Sequence, residues 1–402
     1  MIVRINKLAA MMAIFATAAS QAQDAGRIQA GSFDIIPTFT SSLGYIDNVT
    51  YSQDSEPQIN SWRATFAPQI TFATQVDSNP VQFSYRIERG EYFTSTDDDY
   101  TDHFVFANGE FELNSRHRVN LSGEYEDGHE ERGTGFSIGS GNDITSPDTF
   151  KSTFLGGEYS YGSFSSDGMI TLRAERTTRD YDRTEEEYLY RDRFQNEVGA
   201  EFDYQIAPAT NIIVDVSKRF VRYDLQESET ANRDSDVWRI LGGIEWESTA
   251  ATTGFAKIGY TEREFKSASR DTFTGTDWEV GIDWTPIEYT QFRFVTNADT
   301  RETNGDGDFI RNKDYSVIWQ HEWRQDLRTN VSITSTDSDY IESVDGVEDR
   351  QDETMLYEAS VSYQIRRWLN VSAYATLQDR DSNRDTIGYD RSIVGLRAEV
   401  TL

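Results

Sequence analysis

Apolar and polar residues alternate with a period of two along most of this chain. The alternation is clearest in VQFSYRIER (81–89), RVNLSGEYE (118–126), FQNEVGAEFDYQI (194–206) and LNVSAYATLQD (369–379). Successive side chains of a β-strand point to opposite faces, so each segment is predicted to be a strand with one apolar and one polar face. A slip of one residue would exchange the two faces, and the pattern therefore specifies the register strongly.

The connections between the predicted strands alternate between short and long. We count eight short ones, such as VDSNP (76–80) and RQDLRT (324–329), and nine long, polar ones, such as TSTDDDYTDH (94–103) and GHEERGTGFSIGSGNDITSPDT (128–149). The short ones are rich in Gly, Pro, Asn, Asp and Ser, the residues that favour turns. Seventeen connections predict 18 strands of about ten residues each.

A meander of this many strands closes into a barrel, because closure removes the unpaired edges. We therefore predict an all-β fold, a transmembrane antiparallel up-and-down barrel of about 18 strands with short periplasmic turns and long extracellular loops. Both termini would then face the periplasm, and the lumen would hold water. Pro37 and Pro68 fall inside the first two strand patterns, where each removes a ladder donor, so bulges or local irregularities are expected there.

Tryptophans recur at both ends of predicted strands. Trp238 and Trp246 lie eight residues apart on one face, which places them about 20 Å apart along the membrane normal, close to the spacing of two aromatic girdles. The alternative is a soluble β core that is rich in tryptophan, although such a core does not need rings at both strand ends. The predicted girdle residues are Trp62, Trp238, Trp246, Trp278, Trp284, Trp319 and Trp323.

The chain ends on one more alternating segment, VGLRAEVTL (394–402). We predict that it is the last barrel strand, which pairs with the first strand to close the wall. A terminal strand of this kind resembles the outer-membrane assembly signal, although Leu402 stands where that signal usually has Phe. The predicted signal residues, which would face lipid, are Val394, Leu396, Ala398, Val400 and Leu402.

The polar faces of the predicted strands carry charges of both signs. Two interpretations remain open and are compatible. These side chains could select solutes in a wide pore, or they could pair across strands and hold the wall together. The candidate lumen charges are Arg86, Glu88, Arg173, Glu175, Asp215, Arg219, Arg239, Glu245, Asp283, Arg293, Arg397 and Glu399.

Composition changes this picture in three places. No run of about 20 apolar residues exists that could form a membrane-spanning helix. The absence of cysteine excludes disulfides, thiol nucleophiles and Cys-ligated zinc. The formal charge of −31 argues against nucleic acid as a partner.

The N-terminus has the features of a secretory signal. Arg4 and Lys7 precede a short apolar run, and small residues precede a cleavage site after Ala22. We predict a cleaved signal peptide over residues 1–22 and a single barrel domain over residues 23–402. The alternative, an N-terminal anchor helix, is disfavoured because the run is too short. Cleavage removes two positive charges and changes the formal charge from −31 to −33.

No catalytic or cofactor motif stands out, and we predict that the protein is not an enzyme. The four histidines, His103, His117, His129 and His321, have no metal-ligand spacing. We place His117 in a short turn and His129 in an outer loop. Of the lipid-facing positions only His321 has the right parity for a wall-mounted Ser–His pair, and an interfacial ring is its simpler role.

No metal is predicted as a cofactor. NGDGDF (304–309) resembles the start of a calcium loop but lacks Gly at its sixth position and Glu at its twelfth. Weak binding of divalent cations by the acidic loops, including TDDDYTD (96–102), stays open. A solvated, mutually repelling loop surface is the default expectation.

Two short stretches carry a family resemblance. LGYIDNV (43–49) resembles the Gly-Tyr-x-x-Asn-Val segment of the putative β-barrel porin 2 family, and EERGTG (130–135) is similar to that family. The resemblance implies a pore-like barrel in the outer membrane of a Gram-negative cell, with a role for some members in the secretion of exopolysaccharide or capsule. It brings no catalytic residues.

We therefore predict an outer-membrane porin-like channel for the export of cell-surface polysaccharide. The alternatives are a general solute porin, a wall-mounted enzyme, and a loop-mediated adhesion or structural protein. The expected partners are outer-membrane lipid and lipopolysaccharide, the barrel-assembly machinery and the polysaccharide-export machinery.

Overall fold

A computed structural model describes residues 27–401 of the chain, apart from residues 54, 164–165, 183–185, 227, 229–230, 250 and 342–348. The predicted signal peptide (1–22) and Leu402 lie outside the described residues. No helix among the described residues has both the length and the apolar character needed to cross a membrane.

The described chain is almost entirely β-strand. One short helix, α1 (Glu186–Leu189), and two 3₁₀ turns, Thr96–Asp98 and Gly135–Ser137, lie in long connections. The strands are β1 (Ile28–Ala30), β2 (Phe33–Ile46), β3 (Ser61–Val76), β4 (Asn79–Tyr92), β5 (Tyr100–Asn114), β6 (His117–Glu130), β7 (Asp148–Tyr161), β8 (Gly168–Tyr181), β9 (Arg193–Ala207), β10 (Thr210–Tyr223), β11 (Ser235–Thr249), β12 (Thr252–Phe265), β13 (Phe273–Ile287), β14 (Thr290–Glu302), β15 (Phe309–Arg324), β16 (Leu327–Ile341), β17 (Arg350–Arg366), β18 (Leu369–Ser382) and β19 (Tyr389–Thr401).

Strands β2 to β19 form a closed antiparallel barrel. Each strand pairs with its neighbours in sequence, and β19 pairs with β2 from Ile393↔Ile46 to Thr401↔Thr38. Closure leaves no free edge, which is the condition for a sheet that spans a lipid bilayer. The prediction of an 18-stranded up-and-down barrel is confirmed. The extra strand β1 forms a small hairpin with β2 and was not predicted.

The alternation of short and long connections is also confirmed. Eight short turns lie at the barrel end that carries β1 and the end of β19, and nine longer connections lie at the other end. In the two-residue turn between β3 and β4, Asp77 and Ser78 have φ values of +49° and +74°, as hairpin turns that match the strand twist require. We call the two ends the short-turn end and the long-loop end.

Bulges or local irregularities were expected at the two prolines, and the described residues show one of them, an interrupted ladder at Pro68. Pro37 pairs in register with Ile70, and the described part of the β19–β2 ladder ends at the neighbouring pair, Thr401↔Thr38. At Pro68 the β3–β4 ladder omits two pairs and then resumes in the same register. The local interruption therefore replaces the register shift of a bulge.

Contacts between strands that are not neighbours identify the inner face. Tyr223 on β10 donates a hydrogen bond to Glu302 on β14, across the barrel. Side chains of the opposite parity are apolar and exposed, as for Ile240 (50%) and Leu396 (60%). The wall is therefore apolar outside and polar inside, the sorting that a lipid exterior and a hydrated interior impose.

Candidate functional site

The connection between β6 and β7 folds into the barrel and docks against β3, β4, β19 and the connection after β2. We call residues 131–147 the docked loop. Its first residue, Glu131, lies 3.0 Å from Arg63 on β3 and 3.1 Å from Arg391 on β19, atom to atom between carboxylate oxygen and guanidinium nitrogen. Tyr92 donates a hydrogen bond of 3.2 Å to the same carboxylate, and Tyr51 donates another.

These contacts hold Glu131 in its ionised form. Burial alone would raise the pKa of its carboxyl, but Arg391 and Arg63 together outweigh burial and lower the pKa from 4.5 to about 2. The lowered pKa means that the ionised carboxyl favours docking over the protonated one by on the order of 3 kcal/mol. This contribution is fully present above pH 4.5 and is lost as the pH falls through the docked pKa of about 2.

The docked loop also packs closely through glycine. Gly133 has φ +85°, and a Cβ at this position would lie 2.0 Å from the carbonyl oxygen of Thr50; a Cβ on Gly141 would lie 2.1 Å from the same oxygen. Arg132 extends the docking to the connection after β4, where it donates hydrogen bonds of 2.7 and 2.6 Å to Asp98. The backbone of the docked loop therefore packs directly against the backbone of the first long connection, at Thr50.

The seat itself is formed by the first long connection, which follows β2. Asn48 is fully buried, adopts φ +50°, and donates from its amide to the carbonyl oxygens of Ser52 (2.7 Å) and Asp390 (2.8 Å). Asp390 lies on β19, so Asn48 joins the first connection to the last strand. The two stretches that carry the family resemblance, 43–49 and 130–135, therefore belong to one packed unit.

A second inward fold occurs at the outer end of the β14–β15 hairpin. The β13–β14 ladder ends at Trp278↔Ala298, while β14 continues to Glu302. Beyond this point Glu302 binds Arg263 on β12, with distances of 2.7 and 2.6 Å, and Phe309 packs on Phe273 at 4.9 Å between ring centroids. We call residues 299–309 the hairpin end.

The two inward folds meet inside the barrel. A Cβ on Gly305 in the hairpin end would lie 3.4 Å from the ring of Phe136 in the docked loop. Phe136 also packs edge-on against Tyr181 at the end of β8, 5.3 Å between centroids. The docked loop and the hairpin end together narrow the interior at the long-loop end.

The interior faces of β8 to β15 form a network of ion pairs that includes several candidate lumen charges. Arg173 binds Asp215 at 2.7 Å, and Arg239 binds Asp277 at 2.8 Å and also Glu279. Lys257, which was not predicted, lies 2.5 Å from Glu279 and 3.6 Å from Asp215, and links the two pairs. Only Lys257 and Glu279 face each other in one ladder, as the cross-strand interpretation expected. The other pairs join strands that are two apart on the inner face.

The remaining candidate lumen charges lie on the same inner face. Arg219 lies 3.5 Å from Glu197, and Glu175 stands opposite Glu197 in the β8–β9 ladder. Arg397 lies over the ring of Tyr374, and Glu399 pairs in register with Thr40 and Asn370. The other contacts are Arg293–Asp283 (2.7 Å), Asn211–Glu245 (3.2 Å), Tyr100–Glu88 (2.9 Å), and Arg86 over Phe104 (4.1 Å). Whether these charges select solutes stays a prediction.

Glu131 and Glu302, the two carboxylates that hold the inward folds, were not identified as candidate residues from the sequence. Glu131 and Glu302 stand in or beside connections, where strand alternation assigns no face. Their partners Arg63, Arg263 and Arg391 sit on strands, but nothing in their own segments distinguishes them from other inward arginines. The only available signal was the glycine-rich composition of residues 133–141, which is typical of a closely packed loop.

The predicted girdle tryptophans lie on the outer face of the wall. Trp62, Trp238, Trp284 and Trp323 are 43–58% exposed, whereas Trp246, Trp278 and Trp319 are half-buried. Val394 and Leu396 of the predicted assembly signal are exposed at 57% and 60%. Ala398 and Val400 share that face and pair with Ser41 and Phe39 of β2. Both roles remain predictions.

The histidines make local contacts. His321 lies between Trp319 and Trp323, with Nδ1 at 2.7 Å from the hydroxyl of Thr290. This hydroxyl–imidazole pair resembles the wall-mounted Ser–His pair considered from the sequence, but its hydroxyl belongs to threonine. His103 contacts Tyr85, and His117 contacts Tyr159. His117 begins β6 and His129 lies near the end of β6, so the turn and outer-loop placements were wrong.

The expectation of a solvated, repelling acidic loop at 96–102 is wrong. Asp98 is 3% exposed and bound by Arg132, and Asp102 lies 3.0 Å from His129. The carboxylates are partnered because the docked loop and the end of β6 fold over them. Within the part of the chain that the structure describes, no three His, Asp or Glu side chains converge as metal ligands would.

A closed β-barrel with an apolar exterior and a charged interior defines an outer-membrane barrel of the porin-like class. A family model described as "Putative beta-barrel porin 2" matches residues 21–402, and the chain belongs to this family. The suspected resemblance is thereby confirmed. No curated protein matches the chain.

Solved structures share the architecture. Acinetobacter baumannii OccAB2 superposes with a TM-score of 0.50 at 12% identity, over 93% of this chain and 100% of that one. Pseudomonas aeruginosa OpdL gives a TM-score of 0.47 at 10% identity, over 92% and 99%. The copper transporter OprC gives 0.46 at 10% identity, over 94% and 82%. At 12% identity the likeness to OccAB2 shows the fold alone.

Proposed function

We propose that the protein is a passive outer-membrane channel for polar solutes, with both termini on the periplasmic side and the long-loop end outside. The observation that carries the proposal is the sorting of the wall. Its outer face exposes apolar side chains, whereas its inner face carries charges such as Arg293 and Asp283, 2.7 Å apart. Charged and hydroxyl groups lining a wide barrel favour a water-filled path.

The docked loop and the hairpin end would form the narrow point of this path. They bring Glu131 and Glu302 inside the wall, each beside an arginine of a strand that is not its neighbour. Fixed charges at a narrow point influence ions more strongly than charges in a wide lumen, because less water screens them. No chemical step is needed, and we propose no enzyme activity.

Purified protein inserted into planar lipid bilayers is expected to give steady unitary currents that scale with salt concentration. Diffusion through a hydrated lumen is the physical reason. The measurement is single-channel recording in KCl over both voltage polarities, with protein that was heat-denatured before reconstitution as the control. Absence of current at every voltage, from protein shown to be folded, would contradict an open channel.

For the cargo we propose a cell-surface polysaccharide on its way out. Hydroxyl pairs lie on the inner face of the barrel, and such groups can exchange hydrogen bonds with sugar hydroxyls at little cost. The pairs are Ser42–Thr65, Thr71–Ser84 (2.8 Å), Ser316–Thr334 (3.0 Å) and Ser362–Ser372 (2.8 Å).

Deleting the gene is expected to remove most of the extracellular polysaccharide and to retain polymer in the periplasm, because the exit route is lost. The measurement is the sugar content of both fractions, with complementation by the wild-type gene as the control. Unchanged extracellular polymer would overturn the polysaccharide cargo and would leave a general solute channel.

A further inference from the structure

The carboxylate of Glu131 sits in a group of side chains that all belong to the wall and the first connection. Arg63 on β3 and Arg391 on β19 contribute guanidinium groups at 3.0 and 3.1 Å. Tyr92 on β4 and Tyr51 in the first connection contribute phenol hydroxyls that donate to the same carboxylate. We call Tyr51, Arg63, Tyr92 and Arg391 the cradle. Two arginines and two phenols on one carboxylate form a recognition site for an anion with planar oxygens.

The tethered carboxylate does not use every donor of the cradle. The Nε of Arg391 is buried and donates no hydrogen bond to any residue that the structure describes. The Nη1 of Arg391 donates to the Tyr51 hydroxyl, and its guanidinium lies over the Tyr51 ring at 4.1 Å. The cradle is therefore ordered by contacts among its own members. The Nε of Arg391 remains as a donor for a second acceptor, such as an oxygen of a bound solute.

The same chemistry recurs at the hairpin end, where it is sealed. The Glu302 carboxylate accepts hydrogen bonds from Arg263 and Tyr223, but the side chains of Glu302 and Arg263 are only 2% and 0% exposed. At the cradle the side chains of Glu131 and Arg63 are 25% and 19% exposed. Arg391, Tyr51 and Tyr92 are 6%, 9% and 2% exposed, so a solute reaches the cradle from the side of Glu131 and Arg63, whereas no such opening exists at the Glu302–Arg263 pair. The recurrence indicates that each inward fold is held by a carboxylate in an arginine–tyrosine site.

We propose that the cradle is a binding site for carboxylate-bearing solutes, such as uronic acid sugars, and that the docked loop fills it with its own Glu131. The inference rests on the proposed channel function and names the class of solute that the narrow point would recognise. Displacement of Glu131 removes one of the contacts that hold the docked loop, so a carboxylate solute both binds the wall and weakens the docking that narrows the path. A tethered group acts at millimolar effective concentration, so the free solute competes poorly while Glu131 is present.

The test measures binding to the full-length protein in detergent by calorimetry at pH 7, where Glu131 is ionised, with sodium glucuronate as the probe. Glu131→Ala is expected to bind glucuronate at least about tenfold more tightly than wild type, because the tethered competitor is gone. Adding Arg63→Gln and Arg391→Gln to that variant is expected to abolish the gain. Glucose, which lacks the carboxylate, is expected not to bind with the same affinity. Glu353→Ala, which removes an exposed glutamate from the outer face of β17, is the matched control and should behave as wild type.

Folding of every variant is checked by heat-modifiable migration, and Glu131→Gln replaces Glu131→Ala if the alanine variant fails to fold. Equal glucuronate binding by wild type and Glu131→Ala, or a gain that survives loss of both arginines, would overturn the proposal. Because binding is measured without a membrane, this failure is distinct from a failure of the channel function, which appears only as absent current in bilayers.

Discussion

Replacing Gly133 with alanine is expected to undock residues 131–147 and to raise the single-channel conductance. Gly133 has φ +85°, a conformation that costs about 1–3 kcal/mol for a residue with a side chain. The added Cβ would also lie 2.0 Å from the carbonyl oxygen of Thr50, and neither backbone can move without breaking the seat. Strain and the close contact together are expected to lower the equilibrium constant for docking at least about tenfold, which raises the undocked fraction.

The measurement is single-channel recording of Gly133→Ala beside wild type, with Gly123→Ala as the matched control. Gly123 lies on β6, and a Cβ there would meet nothing closer than the Leu155 side chain at 3.4 Å, an ordinary contact. The control should fold and conduct as wild type. An unchanged conductance in folded Gly133→Ala would mean that the docked loop does not limit the path.

The architecture could be predicted because each strand carries its own evidence. Lipid on one side and water on the other impose a period of two on every strand, so a segment such as 81–89 reveals its two faces without knowledge of its neighbours. The count of strands follows from the alternation of connections. The same logic placed the Trp238 and Arg239 side chains on opposite faces, as the structure has them.

The inward folds could not be predicted in this way. Alternation assigns a face only while a strand remains in the wall, and it fails where β14 leaves β13 beyond Ala298. Residues of that hairpin end then contact the interior with either parity, as Phe309 does against Phe273. The docking of residues 131–147 depends on contacts between segments some 80 to 260 residues apart, such as Glu131 with Tyr51 and Arg391. A local pattern cannot report such contacts.

The short stretches that resemble the family gain a physical meaning from the structure. Asn48 joins the first connection to β19, and Glu131 and Gly133 rest on that connection at Tyr51 and Thr50. The two stretches therefore encode a seat and the loop that occupies it. The residues that carry the family resemblance therefore belong mainly to the packed unit at the long-loop end, and less to the barrel wall.

Replacing Glu302 with glutamine is expected to lower the free energy of unfolding by about 3–5 kcal/mol, because it leaves the Arg263 guanidinium buried without a counter-charge. Arg263 is fully buried, and its Nη2 donates to both oxygens of Glu302 at 2.7 and 2.6 Å. Its Nε has only the neutral Ser235 hydroxyl as partner, and its guanidinium lies 5.1 Å from the Phe309 ring centroid. No neighbour among these contacts replaces the lost charge.

The measurement is equilibrium urea unfolding in lipid vesicles, followed by tryptophan fluorescence. Glu353→Gln, on the exposed outer face of β17, serves as the control and should change stability little. The double variant Glu302→Gln, Arg263→Met removes both charges and is expected to recover much of the loss, because the cost lies in the unpaired cation rather than in the missing bond. A loss below about 1 kcal/mol in the single variant, or no recovery in the double, would show that this pair does not hold the hairpin end in the interior.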